Sequence, residues 1–160
     1  MRINKGDTWG FANTSGAMLI PAIYDWASDF SDGYAKVKKN NLYGYIDKTG
    51  TLVVPLFYQW LEDRDFNGNI MAVKNGYWGC IDSKNEIVNP FIYKVVRPFS
   101  EDMAVVTQSG KYGYINKTGK LVIPFMYEYA YDVLNGTAEV VFNEKTRFID
   151  KNGKCIKYCE

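Results

Sequence analysis

The sequence predicts an all-β protein, an array of short antiparallel β-meander repeats of about 34 residues. Three observations lead to this fold class. One segment occurs four times with small changes, at 9–24, 43–58, 78–93 and 112–127, and a truncated copy follows at 147–158. Each copy consists of short apolar runs bounded by Gly, Asn, Asp and Pro, as in YGYIDKTGTLVVPLFY. No window has the 3.6-residue periodicity of an amphipathic helix.

A glycine after an aromatic residue marks the period. It recurs at Gly10, Gly44, Gly79 and Gly113, with spacings of 34, 35 and 34 residues. The single repeat domain, 1–160, therefore contains units 9–42, 43–77, 78–111 and 112–145, a partial unit 146–160, and residues 1–8 as the last strand of a preceding unit. We expect an open superhelical or solenoid-like array. Closure into a small propeller is the alternative, because 1–8 align with 35–42 and leave a split unit.

Each unit begins with a strand in which large rings alternate with the glycine, as in Tyr43-Gly44-Tyr45-Ile46. The two tyrosines face one way, and Gly44 and Ile46 the other. Glycine inside a strand allows another backbone or ring to approach closely. We interpret the recurring glycines in that way.

A turn closes this strand, with Asp or Asn first and Gly three residues later, as in Asp47 to Gly50. The pattern is typical of a type I turn that ends in the left-handed region. The third unit has Asn85 in place of glycine, and Asn tolerates a positive φ well. Each turn supplies one carboxylate at most, so the pattern favours a structural turn over a calcium loop.

The second strand of each unit ends at a proline and is apolar on both faces, as in Leu52-Val53-Val54-Pro55. Strands covered on both sides have this composition, so we expect each unit to pack between its neighbours. An irregular segment then runs to Phe30, Phe66, Phe99 or Val133, and a last strand is entered through Ala35, Ala72, Ala104 or Ala138. Aligned in this way, unit two gains three residues before Ala72 and loses two from the hairpin at 74–77.

These motifs together resemble the WG-containing repeat family of mostly bacterial proteins. They are the Trp-Gly and Tyr-Gly pairs, the Asp-x-x-Gly turn, Pro-x-x-Tyr, and Phe-Ser-x-Gly-x-Ala at 30–35. The likeness covers nearly the whole chain, and Arg147-Phe148 depart from it in the terminal unit. The resemblance implies a β-repeat fold and an extracellular, envelope-associated or scaffold module, without a motif of catalytic residues.

Composition argues against several classes of function. The 19 basic and 18 acidic residues are interleaved and give a net charge of +1, which argues against a nucleic-acid partner. The chain has no histidine, so Ser-His-Asp and Cys-His catalysis and His-ligated zinc are excluded. No apolar stretch is long enough for a transmembrane segment, and no signal peptide is evident. We expect no enzyme, cofactor or metal site, and localisation stays open.

The three cysteines occupy positions that hold larger hydrophobic residues in other units. Cys80 stands where Tyr45 does, Cys155 where Leu52 does, and Cys159 where Phe125 does. We interpret them as small buried or half-buried hydrophobes, with reactivity or a terminal Cys155/Cys159 pair as the alternatives.

The strongest candidate site is the residue two positions after the recurring tyrosine of Pro-x-x-Tyr. It is Trp26, Trp60, Val95 or Tyr129, large in every unit but variable. An aligned row of rings can stack sugars or hold an extended peptide. Packing between units is the competing interpretation, and Val95 favours it.

We expect a non-enzymatic repeat module for protein binding or scaffolding, with protein as the partner and glycan as the alternative. Carbohydrate or cell-wall binding would use Trp26, Trp60 and Tyr129. A glycosidase would need a carboxylate pair, for which Asp63/Asp65 and Glu101/Asp102 are the candidates. Adjacent acids in turns are usually solvated, which places this hypothesis third.

Overall fold

A computed structural model of the chain describes residues 1–65 and 67–160. These residues form β-strands and turns and no helix, which confirms the all-β prediction. The expected end of the irregular segment at Phe66 lies outside the described residues.

The described strands form five small antiparallel sheets, numbered here in chain order. Sheet 1 contains β1 (Arg2–Lys5), β2 (Thr8–Ala12) and β3 (Met18–Tyr24); sheet 2 contains β4 (Trp26–Ala27), β5 (Tyr34–Lys39), β6 (Leu42–Asp47) and β7 (Leu52–Tyr58); sheet 3 contains β8 (Trp60–Leu61), β9 (Ile70–Lys74), β10 (Tyr77–Ile81) and β11 (Ile87–Tyr93); sheet 4 contains β12 (Met103–Gln108), β13 (Lys111–Asn116) and β14 (Leu121–Tyr127); sheet 5 contains β15 (Tyr129–Ala130), β16 (Thr137–Phe142), β17 (Lys145–Asp150) and β18 (Cys155–Lys157). Strands lie in each sheet in chain order, so each sheet is a meander.

Each sheet combines the end of one sequence unit with the beginning of the next. In sheet 2, β5 comes from unit 9–42, whereas β6 and β7 come from unit 43–77. The chain passes to the next sheet just after the recurring tyrosine, for example between Tyr58 and Trp60. Every full unit therefore contributes strands to two sheets, and the backbone itself links the stack.

The strand register corrects the alignment of unit two. Ala35 pairs with Ile46, the isoleucine at the end of the aromatic-Gly strand, and Ile70 pairs with the equivalent Ile81. Ile70, and not Ala72, is therefore the counterpart of Ala35. The hairpin at 74–77 therefore has the same length as the others. The single extra residue of unit two lies in the loop 62–69, because both flanking pairings are kept.

The core consists of four clusters of buried side chains, each between two consecutive sheets. Ile46 of β6 belongs to the cluster between sheets 1 and 2, whereas its neighbour Tyr45 belongs to the cluster between sheets 2 and 3. This confirms that the aromatic-Gly strand packs on both neighbours. Apolar burial between sheets is the main favourable term in the stability of such a stack.

The predicted turns form in all the units. Asp47 Oδ1 accepts hydrogen bonds from the backbone N–H groups of Thr49 and Thr51, at 2.8 and 3.0 Å. Gly50 has a φ of 87° and Asn85 a φ of 69°, both in the left-handed region. The asparagine in the third unit therefore takes the conformation that glycine takes elsewhere.

The glycine of the aromatic-Gly pair does permit a close approach. A Cβ atom at Gly44 would lie 2.6 Å from the carbonyl oxygen of Val54, and one at Gly113 would lie 2.6 Å from that of Ile123. The approaching backbone belongs to the next strand of the same sheet, where the pairing has a register shift. The terminal unit has Arg147 at this position.

Sheets 1 and 5 are separate ends of the stack. Within the described residues, the backbone of each strand pairs only with strands of its own sheet. Residues 1–8 supply β1, which pairs with β2, so they do not complete a split unit with the C-terminal strands.

Candidate binding surfaces

The predicted ring row lies on the surface. Trp26, Trp60 and Tyr129 begin the short first strands of sheets 2, 3 and 5, and their side chains are 39%, 43% and 37% exposed. Val95 occupies the same place before sheet 4 and is 51% exposed. None of the four is buried between sheets, so these side chains are accessible to a partner.

The rings of the row also pack on the preceding part of the stack. Trp60 meets the ring of Tyr43 edge-on, with centroids 5.4 Å apart, and its Nε1 donates to Glu62 Oε1 at 2.9 Å. Tyr129 packs on Tyr112 at 5.0 Å. Its hydroxyl accepts a hydrogen bond from Arg97 Nη2 at 3.0 Å. One side of the Trp60 ring and of the Tyr129 ring is therefore used for packing.

The candidate acid pair in unit two is occupied by structural contacts. Asp63 Oδ1 forms an ion pair with Lys36 Nζ of sheet 2 at 2.6 Å. Asp65 Oδ1 accepts hydrogen bonds from the backbone N–H groups of Asn67 and Asn69, at 2.9 and 2.8 Å. Asp65 thus forms the same kind of turn as Asp47.

Ion pairs also engage the second acid pair. Glu101 Oε2 lies 3.1 Å from Lys151 Nζ and accepts from the Gly136 N–H at 3.0 Å, and Asp102 lies 2.6 Å from Lys117 Nζ. The lysine hydrogen bond lowers the pKa of each carboxyl below its usual value. The general acid of a glycosidase needs a raised pKa, so this environment does not favour that role.

The cysteines divide into two kinds. Cys80 is fully buried, and burial raises the pKa of its thiol to about 11, which keeps it protonated. The interpretation as a buried hydrophobe is confirmed for Cys80 but wrong for Cys155 and Cys159, which form a disulfide. After β18, Tyr158 adopts a φ of 57° and the chain turns back, so the two Cα atoms lie 5.7 Å apart.

Sequence reasoning missed an exposed apolar surface. Strands β3, β7, β11 and β14 lie at the edges of their sheets, and their outward positions are exposed or half-buried. We call this surface the apolar edge: Leu19, Pro21 and Ile23; Val53, Pro55 and Phe57; Val88, Pro90 and Ile92; Val122, Pro124 and Met126.

The apolar composition of these strands predicts that both faces are covered, and this prediction is wrong for one face. In β7, Val54 and Tyr58 are buried in the core, whereas Pro55 and Phe57 are exposed. The last strand of a sheet has a strand neighbour on one side only, so part of its surface meets solvent. Apolar residues at alternate positions occur in covered strands as well, so this pattern alone did not distinguish an exposed surface from a buried one.

Two further features characterise the apolar edge. A proline stands in the middle of each strand, and it has no N–H group to offer to an added strand. Exposed lysines lie in the turns that lead into the edge strands, at Lys48, Lys84 and Lys120. The turn before β11 also carries the exposed Glu86, so the flanking turns hold charges of both signs. The surface is therefore apolar and unsuited to strand addition at its centre.

Two other kinds of site were sought in the described part of the chain. No group of three or more Cys, Asp or Glu side chains there is arranged to hold a metal ion. The same residues contain no helix that could cross a membrane.

Comparison with known proteins identifies the repeat. Four consecutive segments, 9–43, 43–77, 78–112 and 112–145, match the family model described as WG containing repeat. No curated protein matches the chain.

Similar solved structures include KlHsv2 with loop 6CD replaced by a Gly-Ser linker, at 10% identity and a TM-score of 0.42, covering 77% of this chain and 46% of that one. The extracellular domain of the putative one component system BT4673 from B. thetaiotaomicron is similar at 11% identity and a TM-score of 0.43, covering 94% and 27%. A protein of unknown function from Bacteroides caccae is similar at 12% identity and a TM-score of 0.34, covering 94% and 74%.

The chain spans less than half the length of the first two of these proteins, and at such TM-scores the likenesses carry no argument about function. The family model, in contrast, covers almost all of the residues between 9 and 145. The chain belongs to the WG containing repeat family.

Proposed function

We propose that the chain is a non-enzymatic repeat module that binds a protein partner along its apolar edge. The observation that carries this proposal is the recurrence of exposed apolar side chains at the same positions in four successive edge strands. Ile23, Phe57, Ile92 and Met126 are each at least 40% exposed. Exposed apolar surface that recurs in this way is typical of sites for protein interaction.

The chemistry of the apolar edge defines the partner. The central prolines disfavour pairing with an extended strand, so the partner inserts side chains between the exposed residues of the edge. The ammonium group of Lys74 lies 4.8 Å from the centroid of the Phe57 ring and favours acidic groups beside that side chain. We therefore infer a partner segment that presents apolar residues flanked by Asp or Glu.

The non-enzymatic part of the proposal has separate support. The candidate carboxylates, such as Asp63 and Asp65, are engaged in ion pairs or turn hydrogen bonds. The thiol of Cys80 is buried, with its pKa raised. Each group has a structural role that explains its presence.

Paired substitutions test the proposal. Phe57→Asp with Ile92→Asp places two charges on the apolar edge, and we expect at least tenfold less partner to be retained from an extract of the native cell. The control is Leu134→Asp, the same change at an exposed apolar residue outside the edge. Circular dichroism checks that all variants fold. Equal retention by the double variant and the control would contradict the proposal.

Carbohydrate binding is a second candidate, because Trp26 and Trp60 are accessible. Its test is the tryptophan fluorescence of the whole chain, titrated with soluble cell-wall glycan fragments. Protein binding through the apolar edge predicts no saturable change. A saturable change that Trp60→Ala removes would favour the glycan instead.

A further inference from the structure

The interface between sheets 3 and 4 lacks an aromatic ring that the other interfaces have. The aromatic-Gly strand carries Phe11, Tyr45 and Tyr114 at one position, and Cys80 replaces them in sheet 3. The two tyrosines reach the next sheet. Tyr45 Oη donates to the carbonyl of Glu62 at 3.2 Å, and Tyr114 Oη donates to the carbonyl of Tyr131 at 2.7 Å.

The strand register identifies the carbonyl group that would accept a hydrogen bond from a tyrosine at the position of Cys80. Val96 forms a bridge with Val106 just as Leu61 pairs with Ala72, so Arg97 is the counterpart of Glu62. No side chain of the described residues donates to the Arg97 carbonyl, whereas the Glu62 carbonyl has its tyrosine.

A cation is missing at the same interface. Lys36 pairs with Tyr45 in sheet 2, and its Nζ donates to the Leu61 carbonyl at 3.1 Å. In sheet 3 the residue that pairs with Cys80 is Met71, which has no donor. The carbonyl of Val96 therefore receives no side-chain hydrogen bond from the described part of the chain.

A cavity of about 520 Å³ opens at this interface. Its apolar wall consists of Met71, Trp78, Val96, Pro98 and Phe99. The counterpart of Phe99 at the interface between sheets 1 and 2 is Phe30, whose ring packs on that of Phe11 with centroids 4.6 Å apart. At the interface between sheets 3 and 4, Cys80 occupies the position of Phe11, so the ring that Phe11 supplies is missing beside Phe99.

The entrance of the cavity carries carboxylates from Glu62, Asp63 and Asp65. Asp63 is paired with Lys36, whereas Glu62 and Asp65 accept only from neutral N–H groups of the described residues. The two basic residues of the lining have partners elsewhere. Arg97 directs its guanidinium to Tyr129 and to the Ala130 carbonyl, and Lys117 is held by an ion pair at 2.6 Å. The entrance therefore favours a cationic group.

We propose that this cavity binds a phenol ring with a cationic group beside it, such as a partner's tyrosine next to a lysine or arginine. The ring packs on Phe99 and Trp78, and its hydroxyl donates to the Arg97 carbonyl as Tyr45 does to Glu62. The cation meets the acidic entrance. The site lies apart from the apolar edge, so either can fail without the other.

Tyramine, a phenol ring with an ammonium group, is the probe. We expect it to shift the Trp78 indole signal in NMR spectra of the whole chain, with saturation at millimolar concentration. Phenethylamine lacks the hydroxyl, and 3-(4-hydroxyphenyl)propionate replaces the ammonium with a carboxylate. Both should bind at least threefold more weakly. Equal binding of the propionate, or no saturable shift with tyramine, would overturn the proposal.

Cys80→Tyr restores the residue of the other units and provides a second test. The new ring should fill the cavity and abolish the tyramine shift. If this variant does not fold, Phe99→Ala serves instead and should weaken binding at least tenfold, with Phe57→Ala as the matched control. Unchanged tyramine binding in folded Cys80→Tyr, or in folded Phe99→Ala, would show that the probe binds elsewhere.

Discussion

At the scale of single residues, one short distance explains the recurring glycine at Gly10, Gly44 and Gly113. The second strand of each hairpin bulges toward the first, and its carbonyl comes within 2.6 Å of where a Cβ atom would lie at Gly44 or Gly113. The backbone at these two positions has an ordinary φ, so space rather than conformational freedom requires glycine. In the Asp-x-x-Gly turn, glycine is required for its conformational freedom, because Gly50 has a positive φ.

Gly113→Ala should therefore destabilise the protein by about 2–3 kcal/mol, since the methyl group collides with backbone that belongs to a hydrogen-bonded strand. Denaturant unfolding measures this change. Arg147→Ala is the control, because Arg147 already carries a Cβ atom at the corresponding position of sheet 5. Similar small losses for the two variants would show that the bulge yields at little cost.

At the scale of strands and sheets, local signals predicted the structure better than long-range ones. The turn from Asp47 to Gly50 was predictable because its hydrogen bonds lie within five residues. The counterpart of Ala35 was not predictable in this way. Matching alanines along the sequence selects Ala72, whereas the pairing of strands across the sheet selects Ile70.

The candidate surfaces follow the same division. The exposure of Trp26 and Trp60 agrees with the hypothesis that placed them in a row, although the Trp60 ring also packs on Tyr43 of the preceding sheet. The apolar edge could not be recognised from composition, since a covered strand and an uncovered edge strand have the same residues. Recognising the cavity beside Met71 requires the strand register of sheets 3 and 4 as well as the replacement of an aromatic residue by Cys80.

We expect hydrogen bonds between sheets to contribute measurably to stability. Tyr114→Phe removes the donor to the Tyr131 carbonyl and should lower the free energy of unfolding by about 1 kcal/mol. Tyr112→Phe is the matched control, because Tyr112 is only half-buried and its hydroxyl makes no hydrogen bond to the described residues. An equal loss for both variants would mean that the bond between sheets 4 and 5 adds nothing.

At the scale of the whole molecule, we expect the sheets to be stable only when stacked. An inner sheet buries residues on both faces, so one sheet alone exposes two apolar surfaces. The fragments 26–58, one complete sheet, and 43–77, one sequence unit, should both be unfolded by circular dichroism. A cooperative thermal transition in either fragment would contradict the array.

Alkaline pH should also destabilise the stack. Burial raises the pKa values of Tyr45, Tyr58 and Tyr114 above the ordinary 10.0. The unfolded chain loses these protons first, so stability is complete below pH 10 and falls as the pH rises toward the folded-state values. Urea midpoints measured below and above pH 10 test this. A midpoint that stays constant across that range would indicate that the tyrosines titrate normally.

The central claim is that the apolar edge, and not the ring row, binds a protein. Photo-crosslinking in the native cell tests it most directly, with a photoreactive phenylalanine analogue placed at Phe57, Trp60 or Leu134 in separate variants of the whole chain. We predict a discrete protein adduct from position 57 and none from position 134. An adduct from position 60 with none from position 57 would contradict the account.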